Sequence, residues 1–346
     1  MKSAYCYNSS DWKKIFETKG HSSHLIKYWL KGLYRDPQIL LRHLGQELRD
    51  ELTQEFPIDL PEIVRTQEAQ DGTIKLQVRL QDGLEVETVI IPFHKRYTIC
   101  LSTQVGCAMN CSFCFTGTQG LKRHLLPGEI TSQYFLASQL LRERKLSDVK
   151  PSLVFMGQGE PLHNFESVKQ AIRVLKDPLI FGVGHRQMTL STVGYLPELH
   201  RLSELENVNI ALSLHSPFEA ERSRLIPVNA RFPLKDVLNV LKAHPLLPRQ
   251  FITYEYLLIK NFNMTQAHAE ELTRLFESKK ALINLIPFNP FPGSSWERPD
   301  EAEVDRFKEE LVQRKLRVMV RKTKGDDILA ACGQLKIAKL GRDYAQ

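Results

Sequence analysis

The chain reads as an α/β protein whose parallel sheet is either doubly wound or rolled into a barrel, preceded by a small helical module. Three observations predict this. From about residue 96 onward, short runs rich in branched residues alternate with stretches of helical periodicity, the pattern of parallel strands joined by crossover helices. Up to about residue 56 the apolar positions recur at helical spacing. Between these parts lie three β-rich runs separated by Asp-Gly dipeptides, which read as an antiparallel meander.

In the helical module, Asp11 stands where it could cap a first helix ending at Gly20. HLIKYWLKGLYRD brings Leu25, Trp29 and Leu33 round at helical spacing, and PQILLRHLGQEL follows with Pro37 in its first turn. These helices present Lys27, Lys31, Arg35 and Arg42. EIVRTQEAQ, TIKLQVRL and LEVETVII make the meander, turning at Asp71-Gly72 and Asp82-Gly83, dipeptides that type I′ turns favour. YTICLSTQ opens the parallel part. A helix at 128–142, PSLVFMG, a helix at 165–176, QMTLSTV, NVNIALSLH, FITYEYLLI, a helix at 265–278 and ALINLIPF follow, and LRVMVRK adds an edge strand. No internal repeat or low-complexity tract interrupts the chain.

Composition narrows the function classes. The 346 residues suit a barrel with an appendage, and no apolar run reaches membrane-spanning length. The opening MKSAYCYNSSDWKK lacks the apolar core of a signal peptide, which predicts a cytoplasmic protein. There, six cysteines serve more readily as ligands or catalytic thiols than as structural disulfides. A net charge of +7 suits a polyanionic partner such as RNA, although charge alone argues this weakly. Neither a dinucleotide-binding nor a P-loop glycine pattern occurs, and GQGEP is neither.

The most informative stretch is GCAMNCSFCFTGTQG, residues 106–120, with Cys107, Cys111 and Cys114 in a C-x-x-x-C-x-x-C array. Three thiolates so close can hold three corners of a cubane iron–sulfur cluster. With no fourth ligand nearby, one iron stays open to bind a small molecule, the logic that separates catalytic from structural metal sites. A zinc site with a distant fourth ligand, or a chance group of core cysteines, are the alternatives. Polar residues also follow the strands directly: Gly159-Glu160, Ser191-Thr192, Ser213-Leu214-His215 and Asn289. In parallel α/β folds the functional face lies at these strand ends. Singly, each has a plain structural use, such as a helix cap or a buried hydrogen bond; together they point to a site.

With these residues in view, the chain resembles the RlmN/Cfr family of radical S-adenosylmethionine rRNA adenosine methyltransferases. The resemblance runs through VETVIIP, STQVGCAMNCSFCFTG, FMGQGEPL, LSTVG, LSLHSP, NLIPFNPFPG and VRKTKGDDILAACGQL, in order, over most of residues 85–335. It implies a partial (β/α)6 TIM-like barrel. The implied division is an accessory RNA-binding helical domain at 1–56, an antiparallel β extension at 57–94, the barrel at 95–330, and a C-terminal tail at 331–346 that starts with a catalytic cysteine loop. Cys107, Cys111 and Cys114 would hold a 4Fe–4S cluster, and its open iron would chelate S-adenosylmethionine. Gly159, Glu160, Ser191, Ser213, Leu214, His215 and Asn289 would contact that cofactor. Cys332 would carry the methyl group, Cys100 would resolve the product, and Glu87 would accept a proton.

The resemblance also implies the chemistry. Adenine C2 and C8 are poor nucleophiles, so a radical route replaces direct transfer from the sulfonium. The implied substrate is an adenosine of the peptidyl-transferase centre in naked or partly assembled 23S rRNA, with the adenosine beside the tRNA anticodon a further target for some members. An electron donor such as flavodoxin with its reductase, and a monomeric state, complete the expectation. NLIPFNPFPG and RKTKGDDI resemble the C2 enzymes, whereas LSLHSP is closer to the C8 enzymes that give antibiotic resistance. Lys122-Arg123-His124 and the later Arg314, Lys315, Arg317, Arg321, Lys322 and Lys324 are candidate phosphate contacts. A different class, a non-catalytic RNA-binding protein with a structural cluster, remains open at this point.

Overall fold

The computed structural model describes residues 3–94, 96–146, 149–276 and 281–337. The N-terminal module comprises α1 (Ser9–Thr18), α2 (Ile26–Tyr34), α3 (Gln38–His43) and α4 (Gln46–Glu55). The cap of α1 is Asn8, not Asp11. Asn8 Oδ1 accepts the Asp11 N–H (2.9 Å) while the Asp11 carboxylate accepts the Asn8 N–H (3.1 Å), a reciprocal pair that makes Asp11 the third residue of the helix. Trp12, Phe16, Trp29 and Leu52 form an inward face that packs against Phe135 and Val174. Burial of each such side chain is worth about 1.5–3 kcal/mol. Lys27, Lys31, Arg35 and Arg42 are all exposed on the outer faces.

The meander is β1 (Glu62–Glu68), β2 (Ile74–Arg79) and β3 (Glu85–Phe93), antiparallel throughout. Its turns are not type I′. Only Gly72 and Gly83 take positive φ, and the bonds Gly72 N–H to Ala69 O and Ala69 N–H to Thr73 O enclose a three-residue loop, with the same pattern from Leu80 to Leu84. This is a turn followed by a glycine bulge, the next commonest hairpin connection. The meander is also continuous with the main sheet, because β3 pairs antiparallel with β4 (Arg96–Cys100).

A two-stranded ribbon, β5 (Gln104–Gly106) with β6 (Leu121–His124), stands apart from that sheet. From β4 the main sheet runs parallel through β7 (Ser152–Phe155), β8 (Met188–Thr192), β9 (Asn209–Ser213), β10 (Ile252–Leu258), β11 (Ala281–Pro287) and the edge strand β12 (Val318–Val320). The crossovers include α5 (Pro127–Glu143), α6 (Phe165–Lys176), α7 (Leu196–Leu199), α8 (Glu219–Leu225), α9 (Leu234–Ala243), α10 (Gln266–Phe276) and α11 (Glu301–Gln313). Six strands, β4 and β7 to β11, therefore make an open (β/α)6 partial barrel. The predicted end of the helix at 277–278 and the tail beyond 337 lie outside the described residues. Leu153, Phe155, Leu190, Leu212, Tyr256 and Ile283 alternate along the strands into one core, which fixes register and aims the strand ends at one face. Among the described residues no helix is long and apolar enough to cross a membrane.

Candidate active site

The ribbon β5–β6 brackets the cysteine loop. Cys107 N–H donates to Gly120 O (3.0 Å) and closes it, and inside it Cys114 N–H reaches Cys111 O (3.1 Å) and Gly117 N–H reaches Cys114 O (3.1 Å). Ser112 N–H donates to Leu225 O at the end of α8 (3.0 Å), which holds the loop against the barrel. The three cysteines line one cavity together with Gly159, Glu160, Ser191, Ser213 and His215. With Cys332, which also lines it, the structure thus gathers nine of the predicted site residues around one space.

Each strand-end group is held by specific bonds. Glu160 accepts Leu162 N–H (3.0 Å) and Val193 N–H (2.9 Å), and its own N–H donates to Gln104 Oε1 (2.8 Å). Its carboxylate therefore joins the ends of β7 and β8, and burial pushes it up to about 7. Gly159 has φ +103, and a Cβ there would stand 2.6 Å from Gln104 Cβ, so a larger residue would displace the loop. His215 Nδ1 accepts Leu257 N–H (3.0 Å), and burial pulls the ring down to about 3. The imidazole is therefore neutral, with its proton on Nε2. Leu214, predicted with them, buries its side chain in the core and does not line the cavity.

A second cavity opens between β3–β4 and β11–β12. Cys100, Asn289, Lys322 and Lys324 line it, and Cys332 lines both cavities. The Cys332 loop rests directly on the cysteine loop: Phe115 N–H donates to Gly333 O (2.6 Å) and Thr116 Oγ1 to Leu335 O (2.6 Å). Asn289 faces this second cavity, not the first, and its Nδ2 donates to Cys332 O (3.1 Å).

Sequence comparisons agree with this geometry. The model of the radical SAM superfamily matches residues 101–272. The dual-specificity RNA methyltransferase RlmN of Jannaschia sp. (strain CCS1) is 41% identical over 307 residues, covering 86% of this chain and 78% of that protein. The protein of the same description from Francisella tularensis subsp. novicida is 39% identical, covering 93% of this chain and 88% of its own. This chain belongs to the RlmN/Cfr radical SAM family. A crystal structure of a radical SAM methyltransferase from Sphaerobacter thermophilus superposes on this family member with a TM-score of 0.90 at 34% identity, covering 97% of this chain and 99% of that one.

The cofactors of the RlmN/Cfr family are a 4Fe–4S cluster and S-adenosylmethionine, and the residues present fit both. Among the described residues no three His, Cys, Asp or Glu side chains converge on a single metal ion. A cubane instead takes each thiolate on its own iron. Burial pushes the Cys107 thiol up to about 12 and raises Cys111 and Cys114, so the set needs a cationic centre to hold it ionised.

In this RlmN/Cfr member Glu87 lines neither cavity. Its Oε1 pairs with Lys75 Nζ (3.1 Å) between two buried side chains, and the Lys336 backbone also approaches the carboxylate. Lys75→Met is expected to destabilise the protein by about 3–5 kcal/mol, since it strands a buried charge, and adding Glu87→Gln should restore part of the loss. Urea denaturation of the single and double variants checks this; a single-variant effect below about 1 kcal/mol would contradict the buried pair.

Several predicted phosphate contacts are otherwise engaged. Arg123 is bound to Asp82 (2.6 Å) and Glu129 (2.8 Å), and Arg314 to Glu310 (3.2 Å). Arg321 turns inward and lines both cavities, as Glu255 lines the first. Both therefore belong to the barrel interior, Arg321 in place of the surface phosphate contact that its basic neighbours suggest. For Glu255 a signal existed: it is the one acidic residue inside the apolar run FITYEYLLI. For Arg321 there was none, because the basic residues around it hid its orientation.

Proposed function

We propose that this chain methylates C2 of an adenosine in the peptidyl-transferase centre of 23S rRNA, with the adenosine beside the tRNA anticodon as a second target. The observation that carries the reading is the position of Cys332 in the wall between two cavities. One side offers the cysteine array and polar strand ends, and the other offers Cys100, Phe93, Lys322 and Lys324, which suit a flipped base and its phosphates. When bound, the cluster and S-adenosylmethionine supply the methyl group and the one-electron chemistry.

The chain's own residues would do the rest. The sulfur of Cys332 accepts the methyl group and presents it to the base. Loss of the ring proton and attack of the Cys100 sulfur on the Cys332 sulfur release the product and leave a Cys100–Cys332 disulfide; Glu87, the proton acceptor the resemblance implies, lies outside both cavities and would take that proton only through an intervening group. That disulfide must be reduced before another cycle. Burial raises the Glu87 carboxyl, which strengthens its affinity for the proton. Gly159, Glu160, Ser191, Ser213 and His215 would hold S-adenosylmethionine; Asn289, predicted with them, would position the Cys332 loop instead. The helical module at 1–56 would extend the grip on RNA, and the enzyme would act in the cytoplasm as a monomer fed by a flavodoxin-type donor.

Mass spectrometry of 23S rRNA and tRNA nucleosides after incubation tests the assignment. The expected product is 2-methyladenosine, and 8-methyladenosine, or no methylated adenosine in either RNA, would overturn it.

A further inference from the structure

We propose that Arg222 is a positioning residue for the cofactor cavity, tying the ends of β8 and β9 to the cysteine loop and placing a buried counter-charge behind it. The proposal rests on the reading that Cys107, Cys111 and Cys114 hold an iron–sulfur cluster. Arg222 is completely buried on α8. Burial of a cation is costly unless its donors are satisfied. Here Nε donates to Leu214 O (3.2 Å) and Nη2 to both Ser213 O (2.9 Å) and Val193 O (2.7 Å), while Nη1 donates to Asn229 Oδ1. Three of the four acceptors are backbone carbonyls at the strand ends that border the cavity.

The direct partners are neutral. Glu219, on the same helix, turns its carboxylate to Asn229 Nδ2 (2.8 Å) and to the N–H groups of Leu234 (3.1 Å) and Lys235 (3.0 Å). A clamp made only to hold carbonyls needs donors, not a full positive charge. The charge gains a purpose from what lies beyond Val193. Cys111 packs against the apolar cluster that contains Val193, Leu225 and Ile226, and Ser112 N–H is bonded to Leu225 O (3.0 Å), one helical turn from Arg222. Burial pulls the guanidinium down to about 10, and the Cys111 sulfur first and the Glu219 carboxylate second work against that shift.

A cluster held by thiolates becomes more negative by one charge when it takes an electron. A cation fixed nearby in a water-poor setting favours that reduced form, because net charge and hydrogen bonding set cluster potentials. Arg222 therefore acts through the cluster and the strand ends, without touching the reacting atoms.

The test is electrochemical. Anaerobically reconstituted wild type, R222Q and R222K are analysed for iron and sulfide, then titrated by one electron at an electrode in the absence of RNA. R222Q is expected to show a reduced-to-oxidised ratio about tenfold lower at the wild-type midpoint, equivalent to about 59 mV. R222K, which keeps the cation, is expected to recover most of that loss. An R222Q protein that takes up a wild-type cluster and titrates with the wild type overturns the proposal alone. A wild type that takes up no cluster overturns the cluster reading as well. If R222Q fails to take up a cluster, R222K decides: a ratio near the wild type supports the counter-charge, and a tenfold fall despite the retained charge overturns it.

Discussion

Replacing Cys332 with alanine is expected to abolish RNA methylation, by on the order of a thousandfold or more, the scale at which loss of a covalent group is felt. The other cysteine of the second cavity should behave differently. Cys100→Ala leaves the methyl carrier intact but removes the group that frees the product, so a covalent protein–RNA adduct should accumulate. Denaturing gel electrophoresis with nuclease treatment reads both variants. An active Cys332→Ala enzyme would end the methyl-carrier reading, and Cys100→Ala turnover at the wild-type rate would end the resolving role. The environment of Cys100 adds a pH dependence. Burial first, and Cys332 second, push its thiol up to about 12, so it is protonated at neutral pH. More thiolate forms as pH rises, so wild-type adduct decay should accelerate from neutral toward alkaline pH. A decay rate independent of pH would show that ionisation of Cys100 does not limit this step.

Gly106→Ala is expected to leave the barrel folded but almost free of iron and sulfide after anaerobic reconstitution. Gly106 has φ +77, and a Cβ there would overlap the carbonyl oxygen of Gly120. That oxygen accepts the Cys107 N–H (3.0 Å), the bond that closes the cysteine loop. The substitution therefore combines a left-handed strain of about 1–3 kcal/mol with loss of the loop's closing contact. Gly120→Ala is the control. Gly120 also has positive φ, at +64, but a Cβ there meets nothing within 4 Å, so only the strain applies. Iron and sulfide assay beside far-ultraviolet circular dichroism separates loop damage from unfolding. A Gly106→Ala protein with the wild-type iron content would refute the argument from close approach.

Much of this site could be read without coordinates because its signals are local. The C-x-x-x-C-x-x-C spacing needs only a short loop, and the polar residues that follow apolar runs needed only the strand boundaries to be approximately right. The β8 run QMTLSTV and the β11 run ALINLIPF declared themselves by composition, as did the helix at Phe165–Lys176. The two turns of the meander were misjudged for a related reason. Asp-Gly suits more than one hairpin geometry, and the choice depends on how the flanking strands pair.

The alternating architecture, the cysteine array and the row of polar strand ends are legible from residue order alone, because each depends on periodicity or spacing within a short window. Only the tertiary structure decided that Asn289 holds the Cys332 loop, that Arg321 turns into the barrel and that Arg222 is buried behind the cysteine loop. It also decided that Cys100 and Cys332 share one cavity, through bonds such as Phe115 N–H to Gly333 O that join distant parts of the chain. These outcomes depend on which face of a strand turns inward and on which loops meet across an open barrel. Pairing and packing between remote segments set both, and no local pattern of residue types encodes them.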